Sequence, residues 1–303
     1  MKNNSRSKVS NNEIKTCSNS NGIFGKFRNT SVVWFLSIFS MLLSVNCNAN
    51  HESSSERNDD KERGVAESSD FKIKKIISFV SASEEEKEKV RSIPEDETEL
   101  LKSIVDEAQT SKKYELAVIA QEKIASFQPS FENYYNLALY QGSIGDFSNA
   151  TISCTKALEE GSGDEMLYMY CHVLKAINLG ASDLYKEAAD ELMIVLKSDD
   201  METKVFVFQD LVAPPVYPIL KTKIEDEIKN DPENYRWHLY LGRLYQTVCD
   251  YENAIASYMD CYDITKDTSC IKLIADCYKK SGNEKMSKYY YDIFESGLLD
   301  VIF

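Results

Sequence analysis

One spacing restricts this chain more than any other feature: residues of like size recur every 33 positions. Tyr245 and Tyr278, Ala254 and Ser287, and Tyr258 and Tyr291 are each 33 apart, as are Ala117 and Ala150. A period of that length marks a supersecondary unit repeated along the chain. One unit alone cannot bury its apolar face, so each depends on its neighbours. The unit is expected to be helical. Only 11 Gly and 6 Pro occur in 303 residues, against an average usage of roughly 7% and 5%. So few turn-formers imply long, closely joined elements, whereas a sheet protein of this length needs many more turns.

The clearest block runs Pro232-Glu-Asn-Tyr-Arg-Trp237-His-Leu-Tyr-Leu241-Gly242-Arg-Leu-Tyr245, followed by Asp250-Tyr251-Glu-Asn-Ala254-Ile255-Ala-Ser-Tyr258. The next is Leu273-Ile274-Ala275-Asp-Cys-Tyr278, Ser281-Gly282-Asn283-Glu284 and Ser287-Lys-Tyr-Tyr-Tyr291. An earlier one is Tyr134-Tyr135-Asn-Leu137-Ala138 and Ile144-Gly145-Asp146-Phe147-Ser-Asn-Ala150. These residues resemble the tetratricopeptide repeat family, whose pattern is W-x2-L-G-x2-Y, then A-x3-F, then P. Close helix packing is the physical reason for such a pattern. Gly242, Ala138 and Ala275 in first helices, and Ala117, Ala150 and Ala254 opening second helices, allow two helices to approach. Tyr245, Tyr258, Tyr278 and Tyr291 fill the seams. Gly145 and Gly282 are expected in the turn within a pair, where a left-handed residue is needed. Pro129 and Pro232 end one repeat and open the next.

The expected fold is therefore all-α, a right-handed solenoid of about six helix pairs. Second-helix small positions near Ala117, Ala150, Ala188, Leu220, Ala254 and Ser287 follow at spacings of 33, 38, 32, 34 and 33. The spacing of 38 points to an insertion around Asn178–Asp183 that lengthens a helix or its turn. Val212-Ala-Pro214-Pro215-Val-Tyr-Pro218 interrupts the fourth pair. His238 stands where the family has Trp, with Trp237 one residue early.

Ahead of the repeats lies a different kind of sequence. Residues 1–30 hold six basic residues against Glu13 alone, and no charge occurs from 29 to 50. Within that stretch, residues 32–45 read VVWFLSIFSMLLSV. The run has the length of a signal-peptide core, and the whole uncharged stretch reaches the ~20 residues that span a bilayer. Polar, low-complexity flanks argue against a buried core helix. Three outcomes stay open: cleavage after Cys47-Asn48-Ala49, retention as a type II anchor with the N-terminus cytosolic, or an organelle-targeting leader. The basic leader is long for a signal peptide and favours the anchor. It also counts against a lipoprotein site at Cys47. The expected organisation is a basic disordered leader at 1–30 and a signal peptide or transmembrane anchor at 31–49. A disordered tether at 50–69, capping helices at 70–97 and the repeat domain at 98–303 complete it.

Charge and motifs narrow the function classes. Asp and Glu outnumber Lys and Arg by 49 to 35, and the leader carries six basic residues against one acidic, so the body is strongly acidic. Such a surface repels phosphate backbones, and no nucleic-acid partner is expected. Of the three His, His51 falls in the tether and His172 and His238 on first helices. No G-x-G-x-x-G, P-loop, G-x-S-x-G or H-E-x-x-H motif occurs. Glu84-Glu85-Glu86 and Asp199-Asp200 are read as helix N-terminal charge. Cys154, Cys171, Cys249, Cys261, Cys270 and Cys277 lack C-x-x-C spacing and are expected to pack as small hydrophobes. In a lumenal body, a disulfide between Cys261 and Cys270 across adjacent pairs is the less favoured alternative to that packing. Asn149-Ala150-Thr151 is a glycosylation sequon on a packed helix, where an unused site is expected. The chain is not expected to be an enzyme, to bind a metal or to hold a cofactor.

The resemblance implies a protein–protein interaction scaffold whose first helices line a groove for a peptide or partner helix. Residues matching the groove positions are Tyr135, Leu139, Arg243, Gln246, Lys272 and Lys279. The Lys/Asn set that grips a terminal carboxylate in chaperone-binding members is not recognisable. A structural subunit of a membrane complex is the alternative, with the apolar Leu298-Leu299-Asp-Val301-Ile302-Phe303 either folding back or contacting a neighbour.

Overall fold

The computed structural model describes residues 82–198 and 215–296. The leader, the segment at 31–49, the tether, residues 70–81 of the expected capping helices, residues 199–214 and the apolar C-terminus lie outside the described residues. Twelve helices and no strand form the described part. They are α1 (Glu84–Arg91), α2 (Thr98–Thr110), α3 (Tyr114–Phe127), α4 (Phe131–Ser143), α5 (Phe147–Glu160) and α6 (Glu165–Ala181). Then follow α7 (Tyr185–Lys197), α8 (Tyr217–Asn230), α9 (Tyr235–Thr247), α10 (Tyr251–Thr265), α11 (Thr268–Lys280) and α12 (Glu284–Ser296). The chain divides into two compact units at Leu220/Lys221, a boundary that falls inside α8.

In the first unit α2 packs on α3, α4 on α5 and α6 on α7, and consecutive pairs meet through α3–α4 and α5–α6. In the second, α9 packs on α10 and α11 on α12, with α10 against α11. Five pairs have both helices described. α8 is the second helix expected of another pair, and residues 199–214 before it lie outside the described residues. Pro218, expected to interrupt helix, sits in the first turn of α8, where its missing N–H has no intrahelical acceptor to lose.

The turn within each pair is built the same way every time. Its central residue is left-handed: Lys112, Gly145, Asp183, Cys249 and Gly282 have φ of 59, 81, 62, 60 and 80°. The following N–H bonds back five residues, Lys113 to Ala108, Asp146 to Gln141, Leu184 to Leu179, Asp250 to Tyr245 and Asn283 to Tyr278, at 2.7–3.0 Å. This Schellman closure satisfies a carbonyl that the helix end would orphan. The closing residue often caps the next helix too. Asp146, Asp250 and Asn283 accept from the backbone of Asn149, Asn253 and Met286. Lys113 and Leu184 carry no acceptor and cannot.

Small residues sit where close approach demands them. Ala117, Ala138, Ala150, Ala254 and Ala275 are fully buried. A Cβ on Gly242 would lie 2.5 Å from Cε1 of Tyr258, a ring that is itself wholly buried. The insertion around Asn178 lengthens the helix: α6 has 17 residues against 13 in α2 and α4. Asn178 is fully buried, and its Nδ2 donates to Leu174 O at 2.9 Å.

α1 packs on α3 and is tied down by a buried ion pair. Ser83 and Glu86 form a reciprocal capping box. The second oxygen of Glu86 accepts from Lys113 Nζ at 3.2 Å, with both side chains at most 5% exposed. Lys113 thus anchors the α2–α3 turn to α1 where it cannot cap α3. Breaking one side of such a pair strands a buried charge, at a cost of about 3–5 kcal/mol.

Candidate functional site

The six groove positions separate into two groups. Tyr135 and Leu139 do not line a groove. They are 3% and 0% exposed and belong to the core between α4 and α6, with Tyr170, Cys171 and Leu174. Tyr135 stacks on Phe131 at 5.8 Å, and burial drives its hydroxyl pKa far above the ordinary tyrosine range. These positions are covered because α6 packs directly on α4, and side chains between two first helices become seam rather than surface.

Gln246 is half-buried and committed internally. Its Oε1 accepts from Tyr258 OH at 3.0 Å and its Nε2 approaches Cys277 Sγ at 2.9 Å. It therefore bridges α9, α10 and α11. Arg243 is half-buried on the same helix, near enough to Tyr258 to favour the phenolate, although burial pushes that hydroxyl strongly the other way.

Lys272 and Lys279 are exposed, two turns apart on one face of α11. Lys272 Nζ sits 6.0 Å from the Phe294 ring centre. Asp276, the carboxylate between them, accepts a hydrogen bond from Tyr291 OH of α12. Lys280, Lys285 and Lys288 on the same pair are exposed too. Among the described residues none of these five lysines makes an ion pair. By contrast Lys87, Lys89, Lys102, Lys175, Lys221, Lys229 and Lys266 each meet a carboxylate. Tyr278 stacks on Tyr290 at 5.4 Å, and Tyr289 is 46% exposed beside them. The last pair thus presents free ammonium groups and aromatic rings together. Sequence reading found two of these lysines. The other three do not match groove positions of the repeat, which was the only signal that singled out lysines.

A second concavity, of about 270 Å³, lies between α3, α4 and α5. Tyr134 and Leu137 lie along it with Glu122, Ile152 and Lys156. Lys156 Nζ is 5.4 Å from the Tyr134 ring, and Ile152 is 53% exposed. Desolvation raises the Glu122 carboxyl pKa above the usual range.

A polar cluster lies between α6 and α7. His172 Nδ1 donates to Glu191 at 2.6 Å, and Lys175 Nζ lies 2.8 Å from the other oxygen. Burial works against ionisation of Glu191, but these two partners outweigh it and hold its pKa below 4.5. Both carboxylate oxygens are consumed, so the trio is a clamp between helices. No cluster of His, Cys, Asp or Glu suited to a metal occurs among the described residues. Cys154, Cys171, Cys261, Cys270 and Cys277 are free and buried.

The described helix pairs have the turn geometry, the small-residue seams and the period that the sequence resemblance implies. The fold is tetratricopeptide-like. No protein-family model matches the chain, and no curated relative matches it. Solved structures similar to it include a MamA protein, at 16% identity over 65% of this chain and 89% of that one, with a TM-score of 0.32. The TPR2AB domain of yeast Sti1 in complex with pHSP90 is similar at 13% identity, over 68% and 92%, with a TM-score of 0.30. YrrB, a TPR protein with an unusual peptide-binding site, is similar at 14% identity, over 61% and 95%, with a TM-score of 0.29.

Proposed function

We propose that the chain is a protein-interaction scaffold, and that the last helix pair receives an acidic segment of its partner. The observation that carries this reading is the exposed Lys272 and Lys279 on one face of α11, with Asp276 between them engaged by Tyr291. An ammonium group without a carboxylate gains from a partner's Asp or Glu, and the neighbouring tyrosines add apolar contact. The chain's own acidity supports the same direction, because other acidic surfaces of the chain repel such a segment while this one attracts it.

A labelled Asp/Glu-rich peptide titrated into the protein tests the idea by fluorescence anisotropy at two salt concentrations. Reversing both charges in K272E/K279E should weaken binding about tenfold or more, equivalent to roughly 1.4 kcal/mol. Binding to the parent should also fall with added salt. Equal affinity for the double variant, or for a neutral peptide of the same length, would overturn the proposal.

We infer further that residues 31–49 bring the scaffold to a membrane or into the secretory pathway. Uncharged length and a basic leader support this. No helix among the described residues is long and apolar enough to cross a membrane, so that stretch would be the element responsible. Carbonate extraction with N-terminal sequencing tests it. A carbonate-resistant chain retaining Met1 means an anchor, and a soluble chain starting near Asn50 inside vesicles means cleavage. A soluble chain retaining Met1 in the cytosol would sink the inference.

A further inference from the structure

The search for unused chemistry leads to the junction between α10 and α11. Cys261, in the last turns of α10, and Cys270, in the first turn of α11, bring their Sγ atoms to 3.1 Å. They are 1% and 3% exposed. Other buried thiols are differently placed. Cys277 Sγ is met by Gln246, and Cys171 Sγ points to the Cys154 carbonyl oxygen at 3.6 Å.

We propose that Cys261 and Cys270 are a redox pair, closed into a disulfide by exchange with a low-molecular-weight disulfide. The separation is about 1 Å longer than a disulfide bond, and a small shift at the α10–α11 connection closes it. That connection is short, with Lys266 in the left-handed region at φ 55°. The two sulfurs are not equivalent. The two sulfurs share a hydrogen bond in which either thiol can donate, and that bond together with polar contacts from Thr265 and Ser269 lowers the Cys270 pKa against the effect of burial. The same bond and burial raise that of Cys261. A position in the first turn of a helix favours thiolate as well.

Cys270 is therefore the attacking sulfur. Its thiolate displaces one thiolate from the small disulfide and becomes a mixed disulfide. Cys261 then loses its proton and attacks Cys270 Sγ, and the second small thiolate departs. Two protein thiols are oxidised, one small disulfide is reduced to two thiols, and the two protons end on those thiols. Because both sulfurs are buried, exchange proceeds through transient opening of the α10–α11 connection. The product would staple the last pair to the one before it.

Oxidised glutathione added to the native full-length chain is the probe. Cys249 is disulfide-bonded before treatment, so trapping of remaining thiols and peptide mapping should find one new cross-link, Cys261 to Cys270, with the intact mass reduced by two hydrogens. The melting temperature should rise by about 5–10 °C, the scale for closing a loop of this length in a domain of this size. The C261S variant should stop at a glutathione adduct on Cys270. Free Cys261 and Cys270 after treatment would overturn the proposal. So would the same mixture of pairs in native buffer and in denaturant. An adduct on Cys261 in C270S, with none on Cys270 in C261S, would overturn the assignment of roles. The mapping uses the unmutated chain, so it stands even if a serine variant folds poorly.

Discussion

Gly242 shows how a single side chain can set the geometry of a pair. Its missing Cβ is replaced by the ring of Tyr258, buried and hydrogen-bonded to Gln246. Ala at this position has no room unless the ring turns, and the ring is held at its hydroxyl. Gly242→Ala should cost about 1–3 kcal/mol, the range for overpacking a filled core, read as a lower midpoint in urea unfolding followed by helical circular dichroism. An unchanged midpoint would mean that the seam has slack. Ala138 and Ala275 occupy matching places in their pairs and are equally buried. The sequence identified all three because only small residues recur there. It also put Tyr135 and Leu139 on an open groove, which failed for a residue-level reason. A first-helix position is surface or seam depending on how closely the following first helix covers it, and spacing alone does not carry that.

At the level of elements, the five turns are one device filled by different residues. Gly occupies the left-handed position in two of them, while Lys112, Asp183 and Cys249 hold it at φ near 60°. A side chain with a Cβ pays about 1 kcal/mol or more in that conformation. Gly145→Ala is therefore expected to destabilise by about 1 kcal/mol, whereas Lys112→Gly should be neutral or mildly stabilising once backbone entropy is offset. Paired thermal melts decide it, and loss of stability in both variants would refute the equivalence of the turns. The clamp between α6 and α7 has a pH signature. Glu191 has a folded-state pKa below its reference of 4.5. Its contribution is therefore present above that value and disappears as pH falls through the lower, folded one. Wild type should be more stable than E191Q at neutral pH, with the gap narrowing from about pH 5 downward. A gap that persists unchanged at about pH 3 would show that the carboxylate is not held by His172 and Lys175. Neither interaction was legible beforehand. His172 and Glu191 are 19 residues apart, on helices whose rotation about their axes decides whether they meet.

For the molecule as a whole, what the sequence determined by itself was the helix-pair period. The 33-residue recurrence, the longer second interval and the small-residue positions all survive in the described helices, because each follows from contacts within a pair or between neighbouring pairs. Such local constraints are written at fixed offsets along the chain. Tertiary structure alone decided which polar groups remain available. Lys113 and Glu86, 27 residues apart, are buried against each other, and Gln246 turns inward. Asp276 pairs with Tyr291, which leaves Lys272 and Lys279 open, and Cys261 meets Cys270 across a helix connection. The physical reason is the same in each case. A polar side chain takes whichever partner the packing brings within about 3 Å, and packing is set by helix rotation and approach, which no spacing along the chain encodes.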